Sequence, residues 1–225
     1  MSTLALTRLL QLASPALPVG AYSYSQGLEA AVEAGTVTSA GTAELWLSDL
    51  MDGSMARLEA PVWLRLHSAW MNADVQNVQY WNDWFIASRE TAELRAETLQ
   101  MGYSLRRLIV EEKALGMAGE ELNAMDDIAF PTVFAFAAAR WSIPAPDALS
   151  GYVWSWLENQ VMAALKAVPL GQSDGQRLLA RLGGRIPDLC ERASKLADHE
   201  LSNFLPGFAI LCSQHETQYS RLFRS

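Results

Sequence analysis

Ser14-Pro15-Ala16-Leu17-Pro18-Val19-Gly20-Ala21-Tyr22-Ser23-Tyr24-Ser25-Gln26-Gly27-Leu28-Glu29 is the stretch from which the rest of the chain is read outward. Pro15 and Pro18 each fix their own φ and remove a backbone donor, and they push Ser14 and Leu17 toward extended geometry. A helix running through Leu6, Leu9, Leu10 and Ala13 must therefore stop at a rigid corner. Gly20 permits a positive φ there. A new helical run follows, in which Leu28, Ala31 and Val32 recur at helix spacing. Ser25 is the expected cap of that helix, with Glu29 in its first turns, where the helix dipole favours a carboxylate. On spacing alone two readings stand: an ordinary corner whose tyrosines fill the core, or a functional loop.

The same period of three and four continues downstream. The helix capped near Ser25 should end at Gly35, and another begins near Thr42 with Leu45, Trp46, Leu50 and Met51. Pro61 suits a first helical turn, so a break is expected close to Glu59, followed by a helix to about Asn72–Asp74. Val78, Trp81, Trp84 and Phe85 form the stripe of the next helix, from Val75. Thr91 to Lys113 carries the clearest helical pattern, with Leu94, Met101, Leu105, Leu108 and Ile109 on one face. Arg89 with Glu93 and Glu90 with Arg95 are read as pairs on a solvated opposite face.

Gly116, Gly119 and Asn123 mark a loop, and Phe130-Pro131 opens a buried helix whose alanines at 135–139 allow close approach. Ile143 to Asp147 is a link before a long helix from Ala148 to Val168. Ser173 is the expected cap of the next helix, ended by Gly183-Gly184, and another starts at Pro187. After a break at Asn203–Gly207, Phe208, Leu211, Cys212, His215, Tyr219 and Leu222 continue helix-like to the C-terminus. No two-residue alternation and no repeat interrupts this pattern. The expected fold is all-α: one domain over 1–225, about ten helices, with 204–225 as a C-terminal segment.

The composition narrows the classes of function. Half of the 225 residues are apolar, enough for one sizeable core. Seventeen Lys and Arg against 25 Asp and Glu give a net charge of −8, which disfavours a phosphate-binding surface for nucleic acid. No apolar run reaches the roughly 20 residues that a membrane helix needs. Two cysteines, Cys190 and Cys212, and no basic, apolar leader point to a reducing, cytoplasmic setting. Eight tryptophans and eight methionines serve either the core or association surfaces.

An enzyme would need residues that this chain does not array. The three histidines, His67, His199 and His215, form no His-Glu-x-x-His helix, and there is no phosphate loop or nucleophile elbow. Cys212-x-x-His215 would place a thiol and an imidazole on one helix face, which suits nickel or zinc, but two ligands are too few for a site. Packing is the default role of Cys212. The segment from His215 through Glu216, Tyr219, Arg221, Phe223 and Arg224 mixes aromatic and polar groups. It serves either to dock a partner or to pack on its own domain.

The run SPALPVGAYSYSQGLE, with AAVEAGTV after it, resembles the opening signature of the urease accessory protein F family. The resemblance continues through SRETAELRAETLQMGYSLRRL, AFPTVFAFAAARW, YVWSWLENQVMAALKAVPLGQSDGQRLL and the terminal HETQYSRLFRS, in order along the whole chain. It implies a central helix sandwiched by others, no enzymatic activity, and a homodimer. The implied role is to bind the D/H accessory protein and apo-urease and to recruit the GTPase accessory protein G for nickel insertion. Nickel and GTP would belong to that partner system, with no cofactor held stably here. Pro18, Gly20, Tyr22, Ser25 and Glu29 are then candidates for the GTPase-facing surface, with Lys166 a further candidate. His215, Glu216, Tyr219, Arg221, Phe223 and Arg224 are candidates for the D/H contact. Two alternatives remain: regulation of the partner's GTP hydrolysis through Arg106, Arg107, Arg221 or Arg224, and an independent nickel carrier using Cys212 and His215.

Overall fold

The computed structural model describes residues 1–225 and is helical throughout, with no strand. The helices are α1 (Thr3–Leu12), α2 (Leu28–Glu33), α3 (Ala40–Leu50), α4 (Ala60–Met71), α5 (Val75–Ala87), α6 (Ala92–Val110), α7 (Phe130–Arg140), α8 (Ala145–Ala167), α9 (Gln172–Gly183), α10 (Ile186–Ser194) and α11 (Pro206–His215). At the centre lies α7, in which every residue from Pro131 to Ala138 is buried. A helix apolar on all sides needs neighbours all round it, and α4, α6 and α8 pack against α7. Of the alanines expected to permit close approach, Ala135, Ala137 and Ala138 are buried. On the α6 side Gly102 lies so near that a Cβ there would stand 2.1 Å from the Ile128 carbonyl oxygen.

Polar groups fix the entry to this central helix. The Asn82 side chain of α5 accepts from Ala129 N and Thr132 Oγ1, each at 2.9 Å, and donates to the Asp127 carbonyl at 2.9 Å. Thr98 Oγ1 accepts from Phe130 N at 3.2 Å. Trp63 is fully buried and Trp81 and Trp141 nearly so, which assigns those three to the core, whereas Trp154 reaches the surface.

Several expectations need correction. No break occurs near Glu59: α3 and α4 are joined through a π-helical stretch, Met51–Glu59, into one rod from 40 to 71. Pro61 has no N–H for the Arg57 carbonyl four residues back, and Ser202 N takes that place at 3.1 Å. Gly53 in the same stretch leaves room for the Leu205 side chain. In α1 the buried residues are Ala5, Leu9 and Leu12, while Leu6 and Leu10 are exposed. The notch left by Gly151 in α8 receives Leu9 and sets the rotation of α1.

Ser39 and Thr42 form a capping box that starts α3 two residues before the expected position. At α9 the cap is Gly171, whose N–H is accepted by Asp174, and not Ser173. The last helix ends at His215, so Tyr219 and Leu222 do not extend an apolar stripe; both are exposed. No helix is long and apolar enough to cross a membrane.

Candidate partner-binding site

The proline corner leads through Gly20, at φ 80°, into a short 3-10 turn, Ala21–Ser23. The next helix begins at Leu28 and not at Ser25, with Gly27 as its N-cap at φ 74°. Only glycine fits at 27 for a second reason: a Cβ would lie 2.8 Å from Cys212 Sγ of α11. Ser25 is thereby released from ordinary capping. Its hydroxyl accepts from Glu29 N at 3.4 Å and donates to the Ser225 carbonyl at 2.5 Å, and Ser25 N donates to the same carbonyl at 2.8 Å.

The C-terminal segment is folded back onto this loop. Arg224 N donates to the Ser23 carbonyl at 2.8 Å. Glu29, in the first turn of α2 as expected, accepts from Leu222 N at 2.7 Å and Phe223 N at 2.9 Å. Its carboxylate also faces His215 Nε2 at 3.3 Å, and His215 Nδ1 meets Glu93 of α6 at 2.6 Å. Arg221 donates to the other Glu93 oxygen at 2.6 Å. Glu216 accepts from Glu93 N at 3.3 Å, at the start of α6. Ser225 Oγ donates to Glu97 at 2.9 Å, and Gln26 Nε2 donates to the same carboxyl group at 2.8 Å.

Loop, α6 and tail therefore form one hydrogen-bonded clasp. Charge-assisted bonds of this kind are the stronger class, and Glu29, His215, Ser25 and Ser225 are all buried. Outside the clasp stands a different set. Tyr22 is 68% exposed, Leu222 is 72% exposed and Tyr219 is fully open. Pro18, Lys166 and Arg224 are exposed too; among the clasp's own side chains Arg221 is exposed and Glu216 half-buried, as is Gly20 of the loop. Lys166 Nζ lies 5.9 Å from the Tyr22 ring centre and 5.8 Å from that of Phe223, within cation–π range. Residues from the loop, from α8 and from the tail thus share one face.

Sequence reasoning missed Glu93, Glu97 and Gln26. The expected Arg89–Glu93 pair does not form, since Arg89 binds Glu59 at 2.9 Å and Glu93 serves the tail. The solvated face expected there is only partly so: Glu90 and Arg95 are exposed, whereas Glu93 is half-buried and Glu97 buried. Glu97 falls between Leu94 and Met101 on the buried stripe, and that spacing was the available signal. Burial pushes its pKa up to about 7, against the lowering effect of the bonds from Gln26 and Ser225.

For metal binding the geometry is unfavourable. Burial drives the Cys212 thiol far above its ordinary range, and both ring nitrogens of His215 are occupied by carboxylates. No group of three or more His, Cys, Asp and Glu side chains is arranged to hold a metal ion.

Fold and site together define an all-helical protein whose N-terminal loop and C-terminal tail are locked into a single surface. A family model for UreF matches residues 37–183. The urease accessory protein UreF of Azoarcus sp. (strain BH72) is 60% identical over 225 residues, covering 99% of this chain and 96% of its own. That of Dechloromonas aromatica (strain RCB) is 54% identical, covering 99% and 98%, and that of Janthinobacterium sp. (strain Marseille) is 50% identical over the full length of both chains. The chain belongs to the UreF family of urease accessory proteins.

Proposed function

We propose that this protein is a non-enzymatic urease maturation factor, present in the cytoplasm as a homodimer. It binds the D/H accessory protein and apo-urease, and recruits the GTPase accessory protein G so that nickel is inserted into the enzyme. Membership of the UreF family and the names of the relatives support the coarse role. The observation that carries the finer reading is the clasp, in which the two ends of the chain meet in one buried network around Glu29.

On this reading the candidate residues divide by depth. Ser25, Glu29 and His215 are positioning residues that hold the tail against the loop. Pro18, Tyr22, Lys166, Tyr219, Arg221 and Arg224 present the contact surface, where aromatic and arginine side chains contribute most to association. Gly20 sets the loop's direction, while Glu216 and Phe223 fasten the tail behind that surface. Partner recognition by loop and tail is then coupled, because neither can be placed without the other.

A sequential pull-down tests the assignment: immobilised D/H protein, then this chain, then the GTPase and apo-urease. Retention of the GTPase only when this chain is present is expected. Equal retention without it would overturn the recruiting role. The hydrolysis-regulator alternative is best carried by Arg224. Arg221 and Arg107 are engaged by carboxylates and Arg106 by the Met125 carbonyl, whereas Arg224 has no carboxylate partner. GTP turnover by the partner, unchanged by Arg224→Ala, would dismiss it.

A further inference from the structure

A cleft of about 190 Å³ lies between the proline corner, α6, α7 and α8. Its walls are apolar and aromatic, formed by Leu94, Met101, Phe130, Tyr152 and Trp156, and exposed Tyr22 and Met162 stand at its mouth. Two buried carboxyl groups, Glu59 and Glu97, and the Arg89 guanidinium line its buried part. The two carboxyl groups differ in how they are matched. Glu59 has Arg89 at 2.9 Å and the Tyr152 hydroxyl at 3.2 Å. Glu97 receives only neutral donors, Gln26 Nε2 and Ser225 Oγ.

A buried carboxylate without a counter-charge is unfavourable in its ionised form. Other charged or titratable groups face Glu97. Glu59 opposes its ionisation and Arg89 favours it, while Tyr152, Tyr24 and Cys212 all feel its negative charge. The one cation among them, Arg89, is already taken by Glu59. Glu158 and Lys166 at the rim carry opposite charges, and exposed Lys166 is turned to the rings of Tyr22 and Phe223. When Glu97 is ionised, the buried part of the cleft is thus short of one positive charge.

We propose that this cleft is a binding site for a small primary aliphatic amine, bound as its ammonium ion on Glu97 with the alkyl chain between the apolar walls. The size agrees: an apolar cavity of about 150 Å³ admits benzene, so this one accommodates a chain of about four carbons. Tyr152 and Trp156, both in the lining, are of the aromatic type that attracts a cation placed over the ring. An anion of the same length would meet the two carboxyl groups, and a neutral alcohol would leave Glu97 without its counter-charge.

Calorimetric titration of the full chain with n-butylammonium chloride at pH 6, 7 and 8 tests this, with n-butanol and butyrate run in parallel at constant ionic strength. Saturable one-to-one binding is expected for the ammonium and for neither analogue. Because the ionised fraction of Glu97 falls from about one half at pH 7 to about one in eleven at pH 6, the affinity should weaken about fivefold between them. Glu97→Gln should lose at least about tenfold in affinity at pH 8 with its helical circular dichroism intact. No saturation by butylammonium, equal binding of butanol, an affinity indifferent to pH, or full affinity in Glu97→Gln would each overturn the proposal. The comparison of ligands on the unaltered protein stands even where the variant folds poorly.

Discussion

Glu29 and Phe223, 194 positions apart, are joined by a 2.9 Å hydrogen bond from the Phe223 amide to the Glu29 carboxylate inside the folded chain. The same carboxylate takes the Leu222 amide and faces His215. Glu29→Ala leaves these groups without their acceptor, and a buried donor so stranded costs about 1–3 kcal/mol. Hydrogen exchange at Leu222 and Phe223 should accelerate by at least about tenfold while total helix content is unchanged. Unaltered protection of those two amides would remove Glu29 from its role as the tail's anchor. Where Leu222 and Phe223 do lose protection, a loss of urease activation in Glu29→Ala follows from a loosened tail, and not from a lost partner contact.

Glu97 gives the fold a pH dependence of unusual sign. Its folded pKa of about 7 lies above the ordinary carboxylate value of 4.5, so the folded state binds the proton more tightly than the unfolded one. Its contribution is therefore fully present below about pH 4.5 and is lost as pH rises to about 7, by on the order of 3 kcal/mol. Glu97→Gln keeps a neutral side chain that can still accept from Gln26, and Ser225 Oγ can turn to accept from the new amide. Urea denaturation at pH 5 and pH 8 should show the variant gaining stability relative to the parent at the higher pH. An unchanged difference between the two pH values would contradict the assignment.

Arg89 and Glu59 form a buried pair, each side chain 9% exposed, with the guanidinium 4.2 Å from the Phe85 ring centre. Removing one partner strands the other charge, which costs about 3–5 kcal/mol, whereas apolar replacement of both is far milder. Glu59→Leu should lose several kcal/mol in chemical denaturation, and Glu59→Leu with Arg89→Met should recover a substantial part of it. A double variant as unstable as the sum of the singles would show that the two charges are independent.

The sequence was legible where local rules and tertiary packing agree. The helix at 130–140 was legible as a buried one from its apolar run after Pro131, though not as the central one, and the corner at Pro15 and Pro18 because proline leaves little choice. It was illegible where a distant segment overrides the local rule. Pro61 signals a helix start, yet Ser202 supplies the missing donor and the rod continues. Ser25 reads as a cap, but its hydroxyl is directed to the Ser225 carbonyl, 200 positions away. Glu93 looked like an ordinary surface acid, and Glu97 drew no reading at all, because their partners lie on a tail that periodicity extends as helix. Only the intrusion of Glu97 into the apolar stripe could have raised the question.

Close approach of backbones decides the last prediction. Gly102 sits in α6 against the turn that enters α7, and a Cβ there would lie 2.1 Å from the Ile128 carbonyl oxygen and 2.9 Å from the Ala129 carbonyl carbon. Neither atom belongs to a flexible side chain, so relief requires one helix to move. That displacement would strain the bonds through which Asn82 and Thr98 hold Ala129 and Phe130. Alanine normally favours a helix over glycine by about 1 kcal/mol, but overpacking typically costs about 1–3 kcal/mol and backbone displacement adds to it. Gly102→Ala should therefore destabilise the protein by at least about 2 kcal/mol despite its better helix propensity. A variant as stable as the parent, or more so, in thermal and chemical denaturation would show that α6 and α7 do not meet this closely.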